Sequence, residues 1–276
     1  MRGIKRTWTE SQKDSIIEDY TKKGLTYKEI GRKYSASPDT ISKYLHQWGI
    51  PSKKNRTKNR KLIDDYFEKI DTPEKAYFLG LLLADGAVTK DKDRADQISL
   101  ELQEEDIEIL RTFKKQISSD VEVRKSERPG RKITCKFAVR SDKMSEDLEK
   151  FNIIPNKTYL VDDLIPPANF IVDFIRGFVD GDGSIYYSKD KWHLSLTGHS
   201  QKMLQDFQKI INKMIGKEKS QKLTFFNNVY KVTWNNEDAI KIAKILYVDN
   251  NNIALARKRE RAISAQEDKR RVEDIV

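Results

Sequence analysis

Two aspartates, Asp85 and Asp182, close two matching segments, and the residues before each of them suit a close helix pair. The segments read Gly80-Leu81-Leu82-Leu83-Ala84-Asp85-Gly86 and Gly177-Phe178-Val179-Asp180-Gly181-Asp182-Gly183. In each, small residues recur one helical turn apart on one face: Gly80 with Ala84, and Gly177 with Gly181. Small side chains let helix axes approach, and crossing through these faces would bring both carboxylates to the same end of the pair. An acid at a helix C-terminus is opposed by the dipole and, in a pair, by its neighbour's charge, so a compensating cation is implied. Mg²⁺ fits, being a hard ion satisfied by few carboxylates together with water and phosphate oxygens; Mn²⁺ is expected to substitute. Two acids and a divalent cation suit phosphodiester hydrolysis, where charge develops on the oxygens around phosphorus. Lys136 and Lys231, one per copy, are candidates to offset that charge or help activate water. The expected catalytic set is therefore Asp85, Asp182, Lys136 and Lys231, with Asp85 and Asp182 as metal ligands. The bland alternative is a pair of turn dipeptides ending two core helices, and it weakens when both lie in one duplication.

The elements that would position these groups also repeat. Thr72-Pro73 opens the first helix, and Pro166-Pro167 precede the second. Alternating strands follow, Gln97 to Leu102 and Trp192 to Thr197, then amphipathic helices carrying Ile107, Leu110, Phe113 and Ile117 or Leu204, Phe207, Ile211 and Ile215. Each copy ends on a further alternating strand, Ile133 to Val139 and Val229 to Asn235. Apolar residues fill one face of these strands. The other face carries Ser99, Glu101, Gln103, Thr134, Lys136 and Arg140 in the first copy, and Ser184, Tyr186, His193, Ser195, Thr197, Lys231, Thr233 and Asn235 in the second. Each copy thus reads as a sheet covered by helices on one side and open on a polar side that could read bases.

The chain has 276 residues and a formal net charge of +10. Residues 1–61 hold 16 Lys and Arg against 6 Asp and Glu, so the whole excess lies there and suits a polyanion, nucleic acid before membrane. Thr9 with Gln12, Thr26 with Glu29, and Ser37 before Pro38 are start signals for three short helices over residues 9–48. Three such helices with a tight middle turn look like a helix-turn-helix unit, whose third helix would present Asp39, Thr40, Ser42, Lys43 and His46 to the major groove. A small bundle with a solvated outer face is the alternative. Lys53, Lys54, Arg56, Lys58 and Arg60 then form a basic run suited to tracking phosphates. Cys135 is a lone cysteine and the three histidines are scattered, which excludes a disulfide framework and argues against a zinc cluster. No stretch approaches the roughly 18 apolar residues of a membrane span, so an intracellular protein is expected.

The two segments resemble the paired signature of the LAGLIDADG homing endonucleases, in the form where one chain holds both repeats. The second copy is a close match; the first has Leu83 where the motif usually has an acid. The resemblance covers residues 73–250. It implies an αββαββα fold per repeat, two sheets straddling duplex DNA like a saddle, and signature helices at the seam. It also implies a monomer that cuts both strands of a long pseudo-palindromic site, leaving 3′ overhangs, one scissile phosphate per aspartate. The expected organisation is a helix-turn-helix domain (1–50), a basic linker (51–70), repeat 1 (71–160), repeat 2 (161–256) and a charged tail (257–276), an α+β fold with a small all-α addition. The sequence leaves open whether the tail is a helix against the body. Two rivals keep the architecture: a maturase acting on intron RNA, and a sequence-specific DNA-binding regulator that does not cut.

Overall fold

The computed structural model describes residues 7–23, 25–50, 61–127, 129–130, 132–157, 162–249 and 252–268. Lys53, Lys54, Arg56, Lys58 and Arg60 lie outside the described residues, as do the last eight of the tail. The chain divides into two units, Met1–Asn55 and Arg56–Val276.

The first unit holds α1 (Glu10–Thr21), α2 (Tyr27–Lys33) and α3 (Pro38–Gln47). Thr9 and Thr26 each close a capping box with the residue three positions on, and Ser37 caps α3 through the Thr40 N–H. These contacts satisfy backbone donors that a helix start leaves unpaired. Ile16, Tyr20, Ile30, Ile41 and Leu45 make a small core of their own. Beside it Asp19 is fully buried and accepts hydrogen bonds from Lys33 (2.6 Å), Lys23 (3.0 Å) and the Tyr34 hydroxyl (3.0 Å). Burial raises the pKa of this carboxyl, but the three donors outweigh it and hold the group below its ordinary value.

The second unit contains the same succession twice. The first is α4 (Pro73–Asp85), β1 (Gly86–Thr89), β2 (Gln97–Gln103), α5 (Ile107–Gln116), β3 (Arg124–Ser126), β4 (Thr134–Arg140) and α6 (Asp142–Glu149). The second is α7 (Ile171–Asp182), β5 (Gly183–Ser188), β6 (Lys191–Gly198), α8 (Gln201–Met214), β7 (Thr224–Phe226), β8 (Val229–Asn235) and α9 (Glu237–Tyr247). Both sheets are antiparallel, in the orders β1-β2-β4-β3 and β5-β6-β8-β7. Register sets Leu100 opposite Phe137 and Leu196 opposite Val232, so the apolar alternation of neighbouring strands falls on one face. The helices cover that face: Phe113 of α5 stacks on Phe78 (4.6 Å between centroids) and Phe207 of α8 on Phe178 (4.1 Å). Each buried phenylalanine contributes about 2–3 kcal/mol. The charged tail begins as a helix, α10 (Ala256–Glu267), packed on α9 and β5.

The core of the unit is continuous across the α4–α7 contact. A Cβ on Gly80 would fall inside 3.0 Å of the Phe174 carbonyl, and one on Gly177 inside 3.0 Å of the Tyr77 carbonyl. The helices therefore meet backbone on backbone, as the small-residue spacing requires.

Gly80→Ala and Gly177→Ala are each expected to lower stability by about 1–3 kcal/mol or more, because backbone must move to admit a methyl. Gly198→Ala, whose Cβ would meet Leu204 at 3.5–3.8 Å, is expected to stay within about 0.5 kcal/mol in the same denaturant titration. A second expectation concerns acid. Since the Asp19 pKa is depressed on folding, its contribution is present above the unfolded value near 3.8 and fades as pH falls through the folded value. Protection factors of the α1–α3 amides in the full chain, taken against the intrinsic exchange rate at each pH, should fall below about pH 4, and Asp19→Asn should remove most of that pH dependence.

Candidate active site at the helix seam

Asp85 and Asp182 are the last residues of α4 and α7, and the glycine after each takes an extended conformation that starts a strand. The close crossing delivers them together. A Cβ on Gly181 would lie against the Ala84 methyl and 3.0 Å from an Asp85 carboxylate oxygen. Burial, and then the charge of Asp85, push the Asp182 carboxyl up to about 6. Burial also raises Asp85, against the fields of Lys157 and Lys258. Asp85 keeps solvent-accessible surface and Asp182 is half-buried, so a small ion can reach both although surrounding protein limits their hydration.

Two lysines outside the expected set complete the site. Lys157 Nζ donates to the carbonyl of Gly86, and Lys258 Nζ donates to the carbonyls of Gly183 and Val179 (2.8 Å to the latter). Each ammonium thus sits on the residue that follows one aspartate, at the negative end of one signature helix. Burial lowers both pKa values, that of Lys258 to about 8. Their sequence signal is faint: they follow Asp85 and Asp182 by 72 and 76 positions, nearly equal spacings within a duplication, but no motif or periodicity marks either lysine. The Thr197 hydroxyl donates to the Asp182 carbonyl (3.1 Å), and a recess of about 290 Å³ opens beside Asp182, lined also by Lys157, Thr197, His199 and Met203.

Lys136 and Lys231 stand instead on the polar sheet faces. Lys136 is opposite Glu101 and Arg124; Lys231 is opposite Thr197 and Thr224, with Nζ 3.4 Å from the Tyr186 hydroxyl. Ser184, Glu101 and Asn235 are exposed on these faces, while Gln103, Thr134, Tyr186, Thr197 and Thr233 are half-buried. Ser99 and Ser195 share the faces but are buried, 6% and 1% exposed, because a short side chain in a central strand is shadowed by its neighbours. Arg140 is held by Asp91 (3.0 Å) and the Ala95 carbonyl (2.8 Å). His193 bridges Asn235 (2.6 Å) and the Ser188 carbonyl (3.1 Å) and stacks on Tyr186. In the first unit Asp39, Lys43 and His46 are exposed on α3, and Thr40 and Ser42 are half-buried.

The other acid of the second segment has a structural place. Asp180 is fully buried and accepts from Tyr77 Oη (2.8 Å), Tyr247 Oη (2.6 Å) and the Leu255 N–H (2.8 Å). A shift of 97 positions relates Asp182 to Asp85, Asp180 to Leu83 and Tyr77 to Phe174. Leu83 and Phe174 are thus the apolar counterpart of the Asp180–Tyr77 pair.

Among the described residues no group of three or more His, Cys, Asp or Glu side chains is arranged to hold a metal. The two seam carboxylates fit a hard divalent cation whose remaining ligands come from substrate and water. No helix among the described residues is long and apolar enough to cross a membrane.

Fold and site define a two-repeat α+β protein with paired carboxylates at a helix seam. The LAGLIDADG-like domain family matches residues 169–268, and the WhiA LAGLIDADG-like domain family matches residues 74–136. Among solved structures, the homing endonuclease I-WcaI bound to its DNA recognition sequence is 18% identical, with 74% of this chain and 93% of that one covered and a TM-score of 0.51, a likeness of fold. The LAGLIDADG homing endonuclease I-GzeII in complex with its DNA target is 15% identical (71% and 90% covered, TM-score 0.48). The N-terminal LAGLIDADG domain of DUF199/WhiA is 14% identical (75% and 99%, 0.45). No curated protein matches the chain in sequence. The chain belongs to the LAGLIDADG family, in its single-chain, two-repeat form.

Asp180→Leu should cost about 3 kcal/mol, since it strands three buried donors. Adding Tyr77→Phe, which recreates the Phe174–Leu83 chemistry, removes one of those donors. The double variant should therefore be more stable than the sum of the single losses predicts, by about 1 kcal/mol in a denaturant double-mutant cycle.

Proposed function

We propose that this chain is a site-specific endonuclease that breaks both strands of duplex DNA by hydrolysis, acting as a monomer with Mg²⁺, for which Mn²⁺ can substitute. The observation that carries this reading is the delivery of two acids to one point by a backbone-on-backbone helix crossing, with a lysine on the residue after each. A divalent cation bound by Asp85 and Asp182 supplies charge stabilisation to the attacking and leaving oxygens. Water adds to phosphorus, the bond to the 3′ oxygen breaks, and a 5′-phosphate and 3′-hydroxyl remain. Lys157 and Lys258 offset phosphate charge at the two strands, a role the sequence assigned to Lys136 and Lys231. Those two we place on the base-reading faces with Glu101, Gln103, Arg140, Ser184, Tyr186, His193, Thr197 and Thr233. The homing endonuclease I-WcaI, whose fold this chain resembles, is described as bound to its DNA recognition sequence, which supports DNA as the partner. The exposed face of α3, through Asp39, Lys43 and His46, would add contacts beyond the site read by the sheets, and the basic run after it would add phosphate affinity.

A second reading is a DNA-binding protein of this fold that does not cut. It is favoured by the match of the first repeat to the WhiA LAGLIDADG-like domain.

Incubation of the full chain with a randomised duplex library and Mg²⁺, followed by sequencing of ends, separates the two. Discrete double-strand breaks at one long site are expected, with Asp85→Asn and Asp182→Asn each slowing them about a hundredfold or more. Selective capture of one sequence without any cleavage would overturn the nuclease reading and leave the second.

A further inference from the structure

The two sheets present the same geometry with different chemistry at one position. Thr224 and Phe226 of β7 pair with Lys231 and Val229 of β8, as Arg124 and Ser126 of β3 pair with Lys136 and Thr134 of β4. Position for position, Phe226 and Val229 in the second repeat replace Ser126 and Thr134 in the first. In the first repeat the site is polar: Thr134 Oγ1 donates to Glu101 (2.6 Å). In the second it is apolar, and Phe226 is 76% exposed, the most exposed large hydrophobic among the described residues.

Alternation fixes the face. Val232 and Trp234 of β8 are buried under the helices, so Val229, Lys231 and Thr233 stand on the polar side, and Phe226 directly opposite Val229 stands with them. Phe225 points the other way and packs on Tyr230 (4.6 Å). A two-residue hairpin holds the pair in place, with Asn227 and Asn228 both at positive φ (49° and 60°) as a tight twisted turn demands. Such a turn fixes the backbone that carries the ring, so that only its two side-chain torsions remain to be ordered on binding. Val229 also lines the recess beside Asp182, Lys157 and Thr197, which puts this apolar pair at the catalytic end of the sheet.

A single exposed hydrophobic residue is ordinary. This one lies on the face proposed to read bases, next to a lysine, where the duplex offers one apolar feature in the major groove, the 5-methyl group of thymine. We infer that Phe226, with Val229 beside it, reads the methyl of a thymine at the inner end of the half-site under the second repeat. The inference rests on the sheet face docking duplex DNA, as proposed above. It makes the two half-sites unequal at this position, because Ser126 and Thr134 offer hydrogen bonds there instead.

The test uses the full chain and the duplex it selects from a random library. Each thymine is replaced in turn by deoxyuridine, and binding is measured without a cleavage-supporting metal. One thymine at the inner end of a half-site should lose about fourfold in affinity, the worth of one buried methyl. Phe226→Ser should abolish that sensitivity while leaving the melting curve unchanged, since the ring is exposed, and Val229→Thr should reduce it. Specific binding with a flat deoxyuridine scan, or a methyl-sensitive position that Phe226→Ser leaves intact, would overturn the inference alone. Absence of any sequence-selective duplex binding by the native chain would overturn it together with the DNA reading.

Discussion

Glycine at positions 80 and 177 lets the backbone of one signature helix lie against the backbone of the other, and the remaining architecture hangs on that approach. With any larger residue at either place the axes would have to separate, and the contact carries the continuity of the core between the repeats. It also fixes where the helices end relative to each other. Because both cross at corresponding residues, their last turns converge, and the strands that begin at Gly86 and Gly183 diverge into separate sheets. One packing solution thus creates the seam, places the acids and sets the two sheets apart.

The convergence is electrostatically unfavourable for the apo chain. Two acids are placed at the negative ends of two dipoles, partly dehydrated, each within the other's field. Lys157 and Lys258 relieve this without neutralising it, since they are themselves dehydrated and spend hydrogen bonds on the carbonyls of Gly86 and Gly183. Elsewhere the fold supports the arrangement by rigid means. Asp180 gathers Tyr77, Tyr247 and the Leu255 N–H, and Arg176, almost wholly buried, donates to the carbonyls of Ile253 (2.9 Å) and Leu246 (3.2 Å). These bonds pin the segment that leads into α10, and so fix the helix that carries Lys258.

The helices and sheets were readable from the sequence because each rests on a local rule: capping residues at Thr9, Thr26, Ser37 and Thr72, alternation in Gln97–Gln103 and Val229–Asn235, and small residues one turn apart in α4 and α7. The aspartates were readable for the same reason, as an acid that breaks an apolar pattern twice. Lys157 and Lys258 were not. They reach the site from 72 and 76 residues away, one from a connection and one from a tail whose charge composition matches solvated surface, and only tertiary packing distinguishes them from neighbouring lysines. The burial of Ser99 and Ser195 was also hidden, since alternation assigns a face but says nothing of how tall the flanking side chains stand.

Duplication in one chain frees each half to change independently, and the changes here are of two kinds. At the seam they come in matched sets. Leu83 stands where the other repeat has Asp180, and Phe174, the counterpart of Tyr77, lacks the hydroxyl that bonds that acid, so neither half is left with an orphaned polar group. On the sheet faces they come unmatched. A seven-residue connection over 127–133 stands against the two-residue Asn227–Asn228 turn, and a Ser126–Thr134 pair stands against Phe226–Val229. The difference follows from what each surface must satisfy. Buried positions answer to each other, so a change at one demands a change at its partner. Open positions answer to an external partner, and two halves that diverge there without compensation are fitted to two unlike halves of whatever lies across them.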